Sequence, residues 1–195
     1  MKVLIVCDPE NTYLGTLKGF KRDGDEFARQ AYLASDWYGE STLINVPAGS
    51  AMEKRQALFK RLKKEKLSGF DRALFFMHGS PRYLNRRMIS NLNIGTFCSL
   101  LGDTMVPDGK IVFYACRTAE LTDGFAATVA EKMDRDVLGH TTSGHTTRNP
   151  YKMIYFAGGK AHEKLWLRFG GVKSLKNRLA SSGVAPFVFV EEVMK

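Results

Sequence analysis

The sequence predicts an α/β protein: a mostly parallel sheet of about six strands with helices on both faces. Three observations predict it. Short apolar runs alternate along the chain with amphipathic segments, the pattern of strands joined by crossover helices. The first run, residues 2–8, is continuously apolar between Lys2 and Asp8, as a strand covered on both faces is. Two later runs, Phe75-Phe76-Met77-His78-Gly79-Ser80 and Val112-Phe113-Tyr114-Ala115-Cys116-Arg117, stop abruptly on a reactive residue. In a parallel sheet, ligands and catalytic groups collect at the carboxyl ends of strands.

Taken in order, residues 2–8 form the first strand, and a loop bearing Pro9, Asn11 and Gly19 follows. Asp23-Gly24-Asp25-Glu26 opens a helix to about residue 38, with Phe27, Ala31 and Ala34 at helical spacing. Residues 41–46 make the second strand. Ser50 caps a helix over residues 51–67, with Leu58 and Leu62 one turn apart. Residues 72–77 are the third strand and lead into His78. Residues 79–109 read as a loop containing Pro81, then a helix around residues 90–102. Residues 110–115 are the fourth strand and lead into Cys116. A helix over residues 121–133 and strands at 136–139 and 151–157 follow. Helices at 160–169 and 174–182 and a terminal strand at 186–193 complete the pattern. Gly139-His140-Thr141-Thr142 recurs as Gly144-His145-Thr146-Thr147, an echo too short for a repeat protein that reads as one polar loop.

The 195 residues suit a single domain with a sizeable core. No apolar run approaches the roughly 20 residues needed to cross a bilayer, so no membrane partner is expected. The start, Met1 to Asp8, is too short an apolar stretch for a signal peptide, which predicts a cytoplasmic protein. Three cysteines, Cys7, Cys98 and Cys116, without regular spacing argue against a disulfide framework and for a reducing compartment. No Cys-x-x-Cys or His-x-x-x-His pair is present, so no structural zinc is expected. The net charge of +9 suits contact with nucleic acid or acidic proteins. Its densest run, Lys60-Arg61-Leu62-Lys63-Lys64-Glu65-Lys66, reads equally as the solvated face of a helix.

The chemistry centres on the two strand ends. Cys7 and Cys98 lie in apolar surroundings and read as core, since cysteine behaves as a small hydrophobe. Cys116 instead ends its strand, and Arg117-Thr118 read as the start of a helix, where a thiolate is favoured. A thiol and an imidazole across one crevice are the minimum equipment of a cysteine hydrolase. His78 is the candidate acid or base, and Gly79 beside it allows close approach of backbone to a substrate. The segment 139–150 follows the fifth strand and should overhang the same crevice. Its two histidines and five hydroxyl residues read as a substrate-contacting loop or as an ordinary polar turn. His140 and His145 are secondary candidates for the base.

A strand entering His-Gly and a later strand entering Ala-Cys resemble the caspase-like cysteine peptidases, the group holding caspases, metacaspases, legumain, gingipains and separase. Ala115-Cys116-Arg117 matches the caspase Ala-Cys-Arg. The chain departs at Tyr114, where caspases carry Gln, and at Thr118, where they carry Gly. The interval from His78 to Cys116 is shorter than the roughly 50 residues of caspases. The resemblance covers residues 1–157 in strand order. It implies a caspase-like three-layer sandwich forming one domain over 1–195, with the catalytic core in 1–157 and added helices and a strand in 158–195.

The resemblance further implies an endopeptidase that forms an acyl-enzyme on Cys116, with His78 as its partner and the amides of Gly79 and Cys116 as the oxyanion hole. It needs no cofactor, and its partner is a protein or peptide substrate. Asp8, Tyr114, Ser143, His145 and Arg148 are the implied substrate-binding residues. Arg148-Asn149 resembles the caspase pair that selects an acidic residue before the scissile bond. Asp8 stands where basic-specific members place an acid, and Tyr114 where metacaspases place an Asp. Self-cleavage at Arg82, Arg86, Arg87, Lys160 or Lys164 and a homodimer through the strand at 186–193 are lesser expectations. One alternative is a catalytically silent caspase-like module that binds nucleic acid or a protein. Another is a flavodoxin-like or receiver-like domain with Asp8 as its acid, against which stands the absence of a Gly-rich loop after the first strand.

Overall fold

The computed structural model describes residues 1–9, 27, 28, 31, 32, 34–36, 38–64, 67–140 and the backbone of 153–156. Its frame is a six-stranded sheet. The strands are β1 (Val3–Cys7), β2 (Ser41–Asn45), β3 (Phe70–Phe76), β7 (Met105–Tyr114), β8 (Val137–His140) and β9 (Met153–Phe156). They lie in the order β2-β1-β3-β7-β8-β9. All neighbours are parallel except β8 and β9, which are antiparallel. The reversal at β9 closes an otherwise parallel α/β sheet.

The continuous apolar character of β1 follows from its place between β2 and β3. Leu4 and Val6 enter one core with Phe75, Ile111 and Phe113, while Val3, Ile5 and Cys7 enter a second with Leu74, Phe76 and Tyr114. Alternation of side chains across a strand puts these cores on opposite faces of the sheet. The first face is covered by α1 (Ala51–Lys64), α2 (Ile94–Gly102) and α3 (Phe125–Met133). They contribute Leu58 and Leu62, then Phe97 and Leu101, then Phe125 and Val129. The second face receives Phe27, Ala31 and Ala34 from helical positions between residues 27 and 38. Each face therefore carries helix.

Helix α1 opens on a capping box. Ser50 N–H donates to Glu53 Oε2 at 2.8 Å, and Glu53 N–H donates to Ser50 Oγ at 3.3 Å, the reciprocal arrangement that satisfies two orphan donors. The carboxylate of Glu53 is held below its usual range by the Ser50 N–H first and then by the Ser50 hydroxyl, which donates to Oε2 at 2.7 Å.

Three local expectations are corrected. Residues 79–90 do not form a plain loop but a second, three-stranded antiparallel sheet of β4 (Gly79–Ser80), β5 (Tyr83–Leu84) and β6 (Ile89–Ser90). Pro81 and Arg82 turn the first hairpin, with Arg82 N–H donating to Ser80 Oγ at 3.2 Å. Asn85, Arg86 and Arg87 turn the second with φ of +45°, +57° and +69°. The helix expected over 121–133 begins only at Phe125, because residues 116–124 are held as turns by Glu120 N–H to Arg117 O and Gly124 N–H to Leu121 O. The strand expected at 110–115 begins earlier, at Met105, and its pairing with β3 slips between Phe70 and Arg72. Expectations for residues 158–195 lie outside the described residues.

Candidate active site

Strands β3 and β7 are parallel neighbours, with Phe76 opposite Tyr114. Their rings stack at 4.6 Å between centroids and 7° between planes, on the face that carries Phe27. His78 and Cys116 each stand two residues beyond that pair. Both lie just past the last paired residues of strands about 4.8 Å apart, with Cys116 in a turn. His78 lies on the Phe27 face, since the Phe27 ring meets it edge-on at 5.3 Å and 86°.

The backbones converge more tightly than the strands alone require. A β-carbon on Gly79 would stand 2.6 Å from the Cys116 carbonyl oxygen, 2.8 Å from Thr118 Cγ2 and 2.9 Å from Ala115 Cβ. Only glycine lets the chain leaving β3 lie on the chain leaving β7. The Gly79 amide is also directed away from its own hairpin. Gly79 pairs with Leu84, and Asn85 N–H donates to His78 O at 2.7 Å. These bonds make Gly79–Leu84 a non-hydrogen-bonded pair, whose N–H groups point outward.

Cys116 sits in a turn, not at a helix amino terminus, so a helix dipole does not act on its thiol. Arg117 takes φ of +60°, a costly conformation for a side chain with a β-carbon, and the surroundings enforce it. Thr118 is fully buried and donates its hydroxyl to Ala115 O at 3.1 Å. Ala119 N–H bonds His140 O at 2.9 Å, and Thr118 O accepts from Ala126 N–H at 2.9 Å. The turn is thereby fastened to β8 and α3, leaving Cys116 half-buried. The other thiols differ: burial pushes Cys7 up to about 12 and Cys98 up to about 11.

At the rim, Arg117 pairs with Glu120. That carboxylate raises the Arg117 guanidinium above its ordinary value, with smaller contributions from Cys116 and Tyr83. Arg82 fastens the small sheet to the same region by bonds of 3.0 Å to Asp123 O and Asp123 Oδ2. Pro81 O accepts from Phe125 N–H at 2.8 Å.

The implied substrate-binding residues fare differently. Asp8 is buried, and its carboxylate accepts from Lys54 Nζ at 2.9 and 2.7 Å and from Asn85 Nδ2 at 2.8 Å. Lys54 comes from α1, on the face opposite the Phe27 ring that meets His78. Tyr114 is buried under the site against Phe76, with the His140 ring at 6.5 Å. His140 is itself buried on β8, one strand beyond Cys116. Ser143, His145 and Arg148 lie outside the described residues. Lys54 and Asn85 were not legible as partners of Asp8, because nothing in linear spacing joins positions so far apart.

Among the described residues, no group of three or more His, Cys, Asp or Glu is placed to hold a metal ion. No helix among them is long and apolar enough to cross a membrane. No protein-family model matches the chain, and no curated protein matches it.

Proposed function

We propose that the chain is a caspase-like cysteine endopeptidase of the cytoplasm, with Cys116 as nucleophile and His78 as the proton carrier. The observation that carries this reading is the contact of Gly79 with the Cys116 carbonyl. It makes the His-Gly end of β3 and the Ala-Cys end of β7 one place. The order of the two strands and their adjacency are what the resemblance requires, and helices on both faces accord with a three-layer sandwich. A reducing compartment suits a working thiol.

In this reading Cys116 Sγ adds to the scissile carbonyl carbon while its proton passes to His78. The outward-pointing Gly79 amide, with that of Cys116, donates to the oxyanion. Such donors each lower the barrier by about 3–4 kcal/mol. The C–N bond then breaks as the His78 imidazolium protonates the leaving amine. Water adds to the thioester and gives a proton to His78, the C–S bond breaks, and the carboxylic acid departs as the thiol is restored. Asp8 is not the source of the specificity charge, because a substrate cation would have to displace Lys54 from a buried carboxylate.

The test is active-site labelling of the wild type beside Cys116→Ala and His78→Ala. Acyloxymethyl ketones carrying Arg, Lys, Asp, Asn or Leu before the warhead serve as probes, read by intact mass. One adduct is expected, at Cys116, absent in Cys116→Ala and slowed about 100- to 10,000-fold in His78→Ala. Cys7 and Cys98 stay silent, since burial keeps both protonated near neutral pH. The preferred probe names the pocket. Slow iodoacetamide labelling of Cys116 that ignores His78, with no ketone adduct, overturns the reading and leaves a binding role in its place.

A further inference from the structure

Behind the candidate site lies a buried polar chain that peptide-bond chemistry does not touch. Lys54, Asp8 and Asn85 are 4%, 5% and 2% exposed. The ammonium of Lys54 bridges both oxygens of Asp8, at 2.9 and 2.7 Å. Asn85 Nδ2 donates to Asp8 Oδ2 at 2.8 Å and to Met88 Sδ at 3.7 Å. The chain ends on the backbone that carries the dyad. Asp8 N–H holds the carbonyl of Phe76 at 3.1 Å, and Asn85 N–H holds that of His78 at 2.7 Å.

We infer that Lys54, Asp8 and Asn85 are a positioning device that fixes the direction in which His78 and Gly79 leave β3. A buried ion pair adds little net stability over an apolar replacement of the same shape, so stability alone gives no reason for one here. What charge adds is direction. Asp8 is gripped from α1 on one side and binds Asn85 on the other, so three elements of the fold meet at one carboxylate. Asn85 transmits that fix while in the left-handed region, with φ of +45°, which its short polar side chain tolerates better than most. Its amide defines the peptide plane between His78 and Gly79, and that plane sets where the Gly79 N–H points. The role of the Gly79 N–H rests on the peptidase reading above; the positioning of the plane does not.

The experiment compares the wild type with two variants of the full chain. Asn85→Gly keeps the left-handed turn and removes the tether to Asp8. Asp8→Asn/Lys54→Met removes both charges together, so that no buried charge is left alone. Three readouts are taken: cooperative unfolding, hydrogen exchange of the amides at residues 79 and 85 with the His78 imidazole signals by NMR, and the ketone labelling rate at Cys116. Both variants are expected to unfold cooperatively. Their residue-85 amides should exchange faster, their His78 signals should move, and labelling should fall by up to about 100-fold, the cost of misplacing a reacting group by about 1 Å. Wild-type exchange and unmoved His78 signals in a folded Asn85→Gly overturn the inference, whatever the double variant does. If the wild type takes no ketone, the peptidase reading fails, and the exchange and imidazole readouts still decide the positioning role.

Discussion

Gly79 has no room for a β-carbon, and the obstacle is backbone rather than a flexible side-chain tip. An added methyl would meet the Cys116 carbonyl oxygen at 2.6 Å, well inside van der Waals contact. Relief requires the Cys116 turn to move, yet Ala119 and Thr118 bind that turn to β8 and α3. Gly79→Ala is therefore expected to fold with a loss of about 1–3 kcal/mol, the usual cost of overpacking. It should label at Cys116 about 100-fold more slowly, the cost of displacing reacting groups by about 1 Å. Thermal unfolding and the ketone labelling rate check the two halves. A variant that is destabilised yet labels at the wild-type rate would separate Gly79 from the chemistry. Of the candidate site, the strand ends that carry His78-Gly79 and Cys116 were legible because each closes an apolar run. The role of Asp8 was not: an acid at a strand end reads as a pocket residue until the helix that neutralises it is seen.

At the level of elements, α1 has the clearest local logic. Ser50 and Glu53 cap its first turn, and the next residue, Lys54, turns inward to Asp8. Ser50→Ala is expected to cost about 1 kcal/mol, as loss of an N-cap does, read as a lowered Tm. The pH dependence follows from Glu53. Its carboxylate is depressed in the fold, so its contribution is present above the ordinary 4.5 and lost as pH falls through the folded value. The Tm gap between wild type and Ser50→Ala should therefore shrink on acidification below 4.5; a constant gap would detach the cap from Glu53. Most elements were legible in the sequence. Strands β1, β3, β7 and β8 announce themselves by apolar runs, and α1 by its cap and the Leu58–Leu62 stripe. The small sheet was hidden, since two-residue strands carry no periodicity and its second turn uses Asn85-Arg86-Arg87 rather than a glycine. The start of α3 was misplaced although Thr122, Asp123 and Gly124 are weak helix formers, and their backbone remains in turns.

For the whole molecule, the sheet order ranks stability. β1, β3 and the Ile111–Tyr114 end of β7 lie between two strands and are largely buried on both faces, whereas β4, β5 and β6 form a small sheet of two-residue strands. Opening energies follow burial and hydrogen bonding. Hydrogen exchange read by mass spectrometry should therefore find β1, β3 and the Ile111–Tyr114 end of β7 protected longest, and residues 79–90 exchanging earlier. Equal protection of the two sheets would contradict this ranking. It also means that the elements reaching the candidate site from outside the main sheet are the easiest to displace.

The position of β1 has a consequence for biosynthesis. Both its neighbours, Ser41–Asn45 and Phe70–Phe76, are made after it. Until translation passes residue 76, Val3–Cys7 is an apolar segment with at least one open edge, the kind of sequence that associates with its like. The nascent chain thus carries an aggregation hazard from the synthesis of β1 until that of β3. A holdase that masks short apolar stretches would be most needed during that interval, and least needed once β3 has docked.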